Sequence, residues 1–190
     1  MEVKVLEECG IDNALRGMSY SFRIRDDDVD AWWETKRDRA YQRAAKLAHM
    51  DGGHNKFLES VQVWLDIDAC RGFWQQFDTY RAGVTKQSDS TMHTLAKRPP
   101  LDSDFEIGTD QRVIELFKQL WEENQKDINK LKDNLPEGYL QRRVVCTNYK
   151  ALRNIVKQRQ DHRYKWWQVF CQELLKQLDR PEFIVEGYTS

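Results

Sequence analysis

Apolar and polar positions along the chain change period several times, and each change marks an element. VKVL near the start reads as a short strand. From Val29 to Met50, Val29, Trp33, Ala40, Ala44 and Leu47 recur at helical spacing and predict the first long helix. Asp26, Asp27 and Asp28 supply acidic capping residues before it, and Asp51, Gly52 and Gly53 end it. Between Glu59 and Asp68 the pattern becomes strict alternation. Val61, Val63, Leu65 and Ile67 point one way and Gln62, Trp64, Asp66 and Asp68 the other, which predicts a half-buried strand. A Gly-interrupted segment with helical character follows over 69–80, then a polar stretch over 85–94, then LAKRPPLDSDFEIG, whose Pro pair and acidic residues read as a surface loop. Val113, Phe117, Leu120, Trp121, Ile128 and Leu131 predict one long helix over 109–135, stopped near Pro136. Helical patterns also cover 148–160 and 162–178, so helices outweigh strands, and there is no internal repeat.

Composition narrows the class. A chain of 190 residues, 40% hydrophobic and 32% charged, with seven Trp, eight Phe and seven Tyr, fits one globular domain spanning 1–190. Thirty basic residues against thirty-one acidic ones leave a net charge of −1. No global field recruits nucleic acid or an anionic membrane, so any anion site must be local. The start, MEVKVLEECG, lacks the basic and apolar regions of a leader, and no run of apolar residues is long enough to span a bilayer. Cys9, Cys70, Cys146 and Cys171 are scattered in apolar or helical stretches, as reduced, buried thiols are, and this points to a reducing, cytoplasmic compartment. His49, His54, His93 and His162 share no metal-ligand spacing with one another or with the cysteines, so no metal site is expected.

Two regions could carry chemistry. The first runs from His54, in a Gly-rich turn, to TYRAGVTKQSDSTMH, which is dense in hydroxyls and amides. Such a stretch either lines a ligand pocket, because hydroxyls and backbone N–H groups bind phosphate and base edges, or is a solvated loop. The second is RRVVCTNYKALRNIVKQRQDHRYKWW, in which Arg142, Arg143, Lys150, Arg153 and Arg159 interleave with Tyr149, Tyr164, Trp166 and Trp167. It suits phosphate contacts and stacking on a base or a flavin, or else forms an ordinary amphipathic helix pair with its charges in water. No GxSxG, GxxxxGKS or GxGxxG motif is present, nor a Cys/His pair with nucleophilic spacing.

Four segments, in order, resemble the flavin-dependent thymidylate synthase family. ALRGMSYSF is similar to its Ala-Ala-Arg-Val-Ser-Tyr segment, and HNKFLES to its His-x-x-x-x-Glu segment. QQFDTYRAGVTKQSDS falls in the place of its Gln-x-x-Arg-His-Arg-x7-Ser signature, and LPEGYLQRRVVCTNYKALRNIVKQR resembles its Leu-Pro … Asn … Leu-x-Asn … Leu-Arg segment. The resemblance implies an α+β fold, with a mixed or antiparallel sheet flanked by long helices. It also implies a homotetramer whose active sites are built from several subunits. The implied reaction is transfer of a one-carbon unit from methylenetetrahydrofolate to C5 of a pyrimidine nucleotide, dUMP or a relative, with FAD as hydride carrier and NADPH as its reductant. No protein nucleophile is needed for it, so the protein's task is to position the reactants.

Residue by residue, the resemblance implies flavin contacts for His54, Tyr80, Arg81, Asn148 and Asn154, Tyr80 standing where the family has His. It implies nucleotide contacts for Gln76, Gln87, Ser88, Asp89, Lys132 and Arg159, with Arg159 in the catalytic role. Lys132 replaces an Arg, keeping the charge but not the bidentate fork. Thr79 replaces the first Arg of the signature and Thr91 a later one. Asp89 stands at the signature Ser, where its charge would repel a phosphate, unless a one-residue shift makes Ser88 or Ser90 that Ser. Three readings follow: the family reaction on a pyrimidine nucleotide, the family fold with a changed substrate or reaction such as nucleotide hydroxymethylation, or a non-catalytic nucleotide- or nucleic-acid-binding protein.

Overall fold

The structure, a computed structural model, describes residues 1–25 and 28–188. Asp26 and Asp27, two of the three expected capping acids, lie outside the described residues. The third, Asp28, is the cap, its carboxylate accepting from the backbone N–H groups of Asp30 and Ala31.

Strands β1 (Glu2–Cys9), β2 (Gln62–Cys70), β3 (Thr85–Ser88) and β4 (Leu140–Asn148) form one sheet in the order β1-β2-β4-β3, every pair antiparallel. The helices are α1 (Ile11–Ser19), α2 (Val29–Leu47), α3 (Arg71–Phe77), a single turn α4 (Thr91–Thr94), α5 (Gln111–Glu123), α6 (Ile128–Asp133), α7 (Tyr149–Arg159) and α8 (Lys165–Gln177). The expected α+β class is what the chain adopts. As the alternation predicts, Val61, Val63, Leu65 and Ile67 are fully buried, and their face of the sheet carries the main core. Aromatic rings knit α3 and α8 onto it: Phe73 lies 4.6 Å from Trp167 and 5.5 Å from Trp74, and Phe77 stacks on Trp167 at 5.9 Å. A smaller core of Leu95, Phe105, Ile114, Phe117, Trp121, Leu131 and Leu135 holds α5 and α6.

Several expectations need correction. The single helix over 109–135 is two, α5 and α6. Asn124 ends the first by donating its side-chain amide to the Leu120 carbonyl, and Asp127 caps the second by accepting from the Lys130 N–H. Val113 is 42% exposed, and Ile114 takes the inward position instead. The polar stretch over 85–94 is not all loop, since it contains the edge strand β3 and the turn α4. Helix α1 was not expected, although Ile11, Ala14, Leu15 and Met18 recur at helical spacing over its two turns; strand β4 carries no periodic signal that predicted it. In β4 the register pairs Leu65 with Val145 and Val63 with Thr147 on the core side, but also Ile67 with Arg143. An inward Arg143 and outward Val144 and Cys146 erase the alternation a half-buried strand would print in the sequence. Cys9, expected to be buried, is exposed near the end of β1, while Cys70 and Cys171 are buried. Among the described residues no helix is long and apolar enough to cross a membrane.

Candidate functional site

The sequence-predicted residues fall into three groups. The first surrounds Arg159, in the last turn of α7. Buried Leu152, Ile155 and Val156 anchor that helix, and Arg159 sits on the flank of their stripe, half-buried between α3 and α8. Its Nε donates to the Tyr80 hydroxyl at 2.7 Å and its Nη1 reaches Gln76 Oε1 at 3.5 Å. The guanidinium lies 4.8 Å from the Trp167 ring centre and 5.6 Å from that of Tyr80. Gln76 Oε1 also accepts from Trp167 Nε1 at 2.9 Å, which turns the donor end of the Gln76 amide away from the ring. Among the described residues Arg159 has no carboxylate partner, and neither Glu59 nor Asp89 pairs with it. Beside it, Cys171 is buried and its thiol is pushed up to about 12 by loss of hydration, so it is a packing residue and not a nucleophile.

The second group forms a belt along the outer side of α7. The Tyr80 hydroxyl donates to Gln158 Oε1 at 3.1 Å, and Gln158 Nε2 donates to Asn154 Oδ1 at 2.9 Å, linking Asn154 to the Arg159 cluster. Asn148 caps α7, its Oδ1 accepting from the Ala151 N–H at 2.9 Å. Gly83, at φ 69, packs so closely on it that a Cβ there would meet Asn148 Nδ2 at 2.7 Å. Arg81 is exposed in the same loop and has no ion-pair partner among the described residues. Farther along, Lys150 bonds Asn55, which adjoins His54. His54 and Glu59 line a cavity of about 780 Å³ against α1, where Ala14 and Gly17 alternate with Asn13 and Met18 along the wall.

The third group is divided from Arg159 by α3. Lys132 donates to Thr91 Oγ1 at 3.0 Å and lines a cavity of about 250 Å³ with Arg71, Trp74, Asp78 and Arg143. Arg71, Trp74 and Asp78 share one side of α3 and its end, whereas Gln76 points about the opposite way. Lys132 and Arg159, both expected at the nucleotide, are therefore not brought together within one chain. Asp89 lies at the rim of yet another cavity, of about 330 Å³, with Asp68, Arg98, Tyr139 and Arg142. Partial burial raises the Asp68 and Asp89 carboxyls, Arg142 pulls both back, and the charge of Asp89 adds to the rise at Asp68. Gln87 and Ser88 are exposed on the edge strand β3.

Three residues of these groups were given no role of their own by the sequence. Trp167 and Arg143 belong to the basic and aromatic segment, but only the fold separates them from its solvated cations. Arg71 carried no signal. Among the described residues, no cluster of His, Cys, Asp and Glu is arranged to hold a metal ion.

No family model and no curated protein sequence matches the chain. Its fold, however, is similar over nearly the whole length to thymidylate synthase X of Helicobacter pylori. One crystal structure of that enzyme with FAD and dUMP gives a TM-score of 0.78 at 15% identity, with 98% of each chain covered. A second, described as flavin-dependent thymidylate synthase complexed with FAD and dUMP, gives 0.79 at 16% identity with the same coverage. The chain thus has the flavin-dependent thymidylate synthase fold in a divergent sequence.

Proposed function

We propose that this protein is a flavin-dependent enzyme that transfers a one-carbon unit from methylenetetrahydrofolate to C5 of a pyrimidine nucleotide, dUMP or a close relative, with NADPH reducing the flavin. The observation that carries the reading is Arg159. Among the described residues this half-buried guanidinium is held by Tyr80, Gln76 and the face of Trp167 and meets no counter-charge, a costly arrangement in the chain alone. A pyrimidine carbonyl, and the negative charge that gathers on it when C5 acts as a nucleophile, supplies the missing acceptor. Gln76 supports this, because with its oxygen committed to Trp167 it can offer only N–H outward.

The residues also suit a flavin. The belt of His54, Lys150, Asn148, Asn154 and Tyr80 along α7 is extended, as FAD is, and begins at a cavity of about 780 Å³ that mixes polar groups with the apolar Met18 and Phe57. Arg81, exposed and without an ion-pair partner among the described residues, suits its pyrophosphate. Bound there, FAD in its reduced form would supply the hydride that completes the transferred carbon. The chain's own part is to orient the ring and the nucleotide and to keep a fixed cation at the pyrimidine. Because Lys132 lies across α3 from Arg159, we also propose that the working site is assembled from several copies, as a homotetramer. The decisive experiment is to purify the protein, record its absorption in the flavin bands, and titrate it with FAD and then dUMP. Uptake of FAD followed by dUMP-dependent quenching is expected, and absence of FAD binding would remove this reading.

A further inference from the structure

Away from the three groups, one surface combines exposed aromatic rings with a row of cations. It lies where the turn after α1 folds against α2. Lys36, Arg39, Arg43 and Lys46 recur three or four residues apart on α2 and so share one side of it. Among the described residues none of the four has an ion-pair partner. The acids close by are committed elsewhere. Asp28 caps α2, Asp30 pairs with Arg16 at 2.6 Å, and Asp12 receives Arg37 and Tyr41. Of the other acids of α2, Glu34 falls on the far side of the helix and Asp38 about a third of a turn away. Beside the cations, Phe22 is 64% exposed and Ile24 71%, and Tyr20 is exposed as well. The rings are held in place. Phe22 has one face under the Arg43 guanidinium at 3.9 Å, and its exposure leaves the other face open. Tyr20 packs 6.1 Å from Trp32, and its hydroxyl accepts from Arg16 Nε at 3.2 Å.

A row of fixed cations attracts a polyanion, and the open ring faces select its kind. Cations about 5 Å apart along a helix suit the phosphates of a flexible single strand. An acidic peptide brings charge but nothing to lie flat on Phe22. A base does, and it is free to do so only in a single strand, because the bases of a duplex are stacked on one another. A membrane calls for apolar side chains that insert below the headgroups, whereas Phe22 and Tyr20 are laid against α2. We infer that this face binds single-stranded nucleic acid, with Lys36, Arg39, Arg43 and Lys46 meeting phosphates and a base stacking on Phe22 opposite Arg43. The basic and aromatic segment over 142–167 is less suited to that partner, since Arg142 and Arg143 are already paired with Asp66 and Asp78. The inference stands apart from the proposed enzymatic function, because none of these α2 residues belongs to the groups around Arg159, the α7 belt or Lys132. A local row of charge achieves here what a net charge of −1 does not.

Fluorescence anisotropy on the full chain tests it, with a labelled oligodeoxythymidylate of about fifteen nucleotides as probe and the matching duplex and phosphatidylserine vesicles as competitors. The expected result is saturable binding of the single strand, at least about tenfold tighter than the duplex and weakening as salt rises. Phe22→Ala should lower the affinity at least about fivefold and leave the salt dependence unchanged, and Phe22→Tyr should restore most of the loss. The double substitution Arg39→Gln with Lys46→Gln should lower the affinity and flatten the salt dependence, which separates charge from stacking. Melting temperatures close to wild type, expected because these side chains are exposed, show that the variants fold. A single strand that does not bind, or binds no better than the duplex, overturns the inference. So does an affinity unchanged in folded Phe22→Ala or in the folded double variant. Capture by the vesicles without oligonucleotide binding would make the face a membrane contact instead. A lowered light-scattering mass of Phe22→Ala, with oligonucleotide affinity unchanged, would make it a contact between copies of the chain.

Discussion

Arg159 combines a structural position with an unfulfilled hydrogen-bonding capacity, and substitution separates the two. Arg159→Lys keeps the charge but loses the planar fork that reaches Tyr80 and Gln76 together. The expected outcome is a nucleotide affinity or turnover reduced at least about tenfold, roughly 1.4 kcal/mol, with flavin content and melting temperature close to wild type. A lowered melting temperature with unchanged affinity in the folded fraction would sink the assignment. Asp89 makes a different residue-scale prediction. It and Asp68 sit above the ordinary value of 3.8 in the folded chain, so the folded state holds their protons more tightly than the unfolded one does. Their contribution to stability is therefore present in acid and lost as the pH rises from about the ordinary carboxylate value through the raised one. Asp89→Asn should melt higher than wild type at neutral pH, and the gain should vanish below the ordinary carboxylate range. Melting curves across that range check it, and an equal gain at every pH would show that ionisation is not the cause.

At the scale of elements, α3 divides the two cation sites and α8 fixes where it lies. Phe73, fully buried, touches Trp74, Phe77, Trp167 and Phe170, so Phe73→Ala removes the centre of that contact. A loss of about 3–5 kcal/mol in chemical denaturation is expected. The 80–84 loop is held differently. Gly83 adopts φ 69 directly against the Asn148 cap, so Gly83→Ala adds backbone strain and pushes on the cap together. A cost of about 1–2 kcal/mol is expected, with weaker FAD uptake than the wild type at a temperature where both are folded. Equal FAD affinity would separate this loop from the flavin belt. Elements with one dry face were legible in advance: α2, α7, α8 and above all β2 carry apolar residues at a regular period, and those residues are the ones the core buries. Strand β4 was not, since Arg143 occupies an inward position where Asp78 and Trp74 receive it, and a period of two cannot survive that substitution.

For the molecule as a whole, the separation of the site residues is the main consequence of the fold. Lys132 lies across α3 from Arg159, so in the proposed function one nucleotide reaches both through a neighbouring copy, while the α7 belt runs from the His54 end to Tyr80 and Arg159 within one chain. Light scattering at micromolar concentration is expected to give a tetramer, and flavin content should fall with the assembly on dilution. A monomer that still binds FAD and dUMP would contradict the shared-site arrangement.

What the sequence determined by itself was local and periodic. It set the class, the helices with an apolar stripe, the central strand, the Asp28 cap, and the basic and aromatic segment from which Arg143, Arg159 and Trp167 come. Only the tertiary structure decided that this segment is half strand and half helix, that the helix after Thr109 breaks at Asn124, and that Arg71 joins Lys132 across a cavity while Gln76 turns to Arg159. The reason is physical. Periodicity records which face of an element is dry, but register and the grouping of distant cations follow from pairings across the chain, such as β2 with β4, that leave no trace in neighbouring residues.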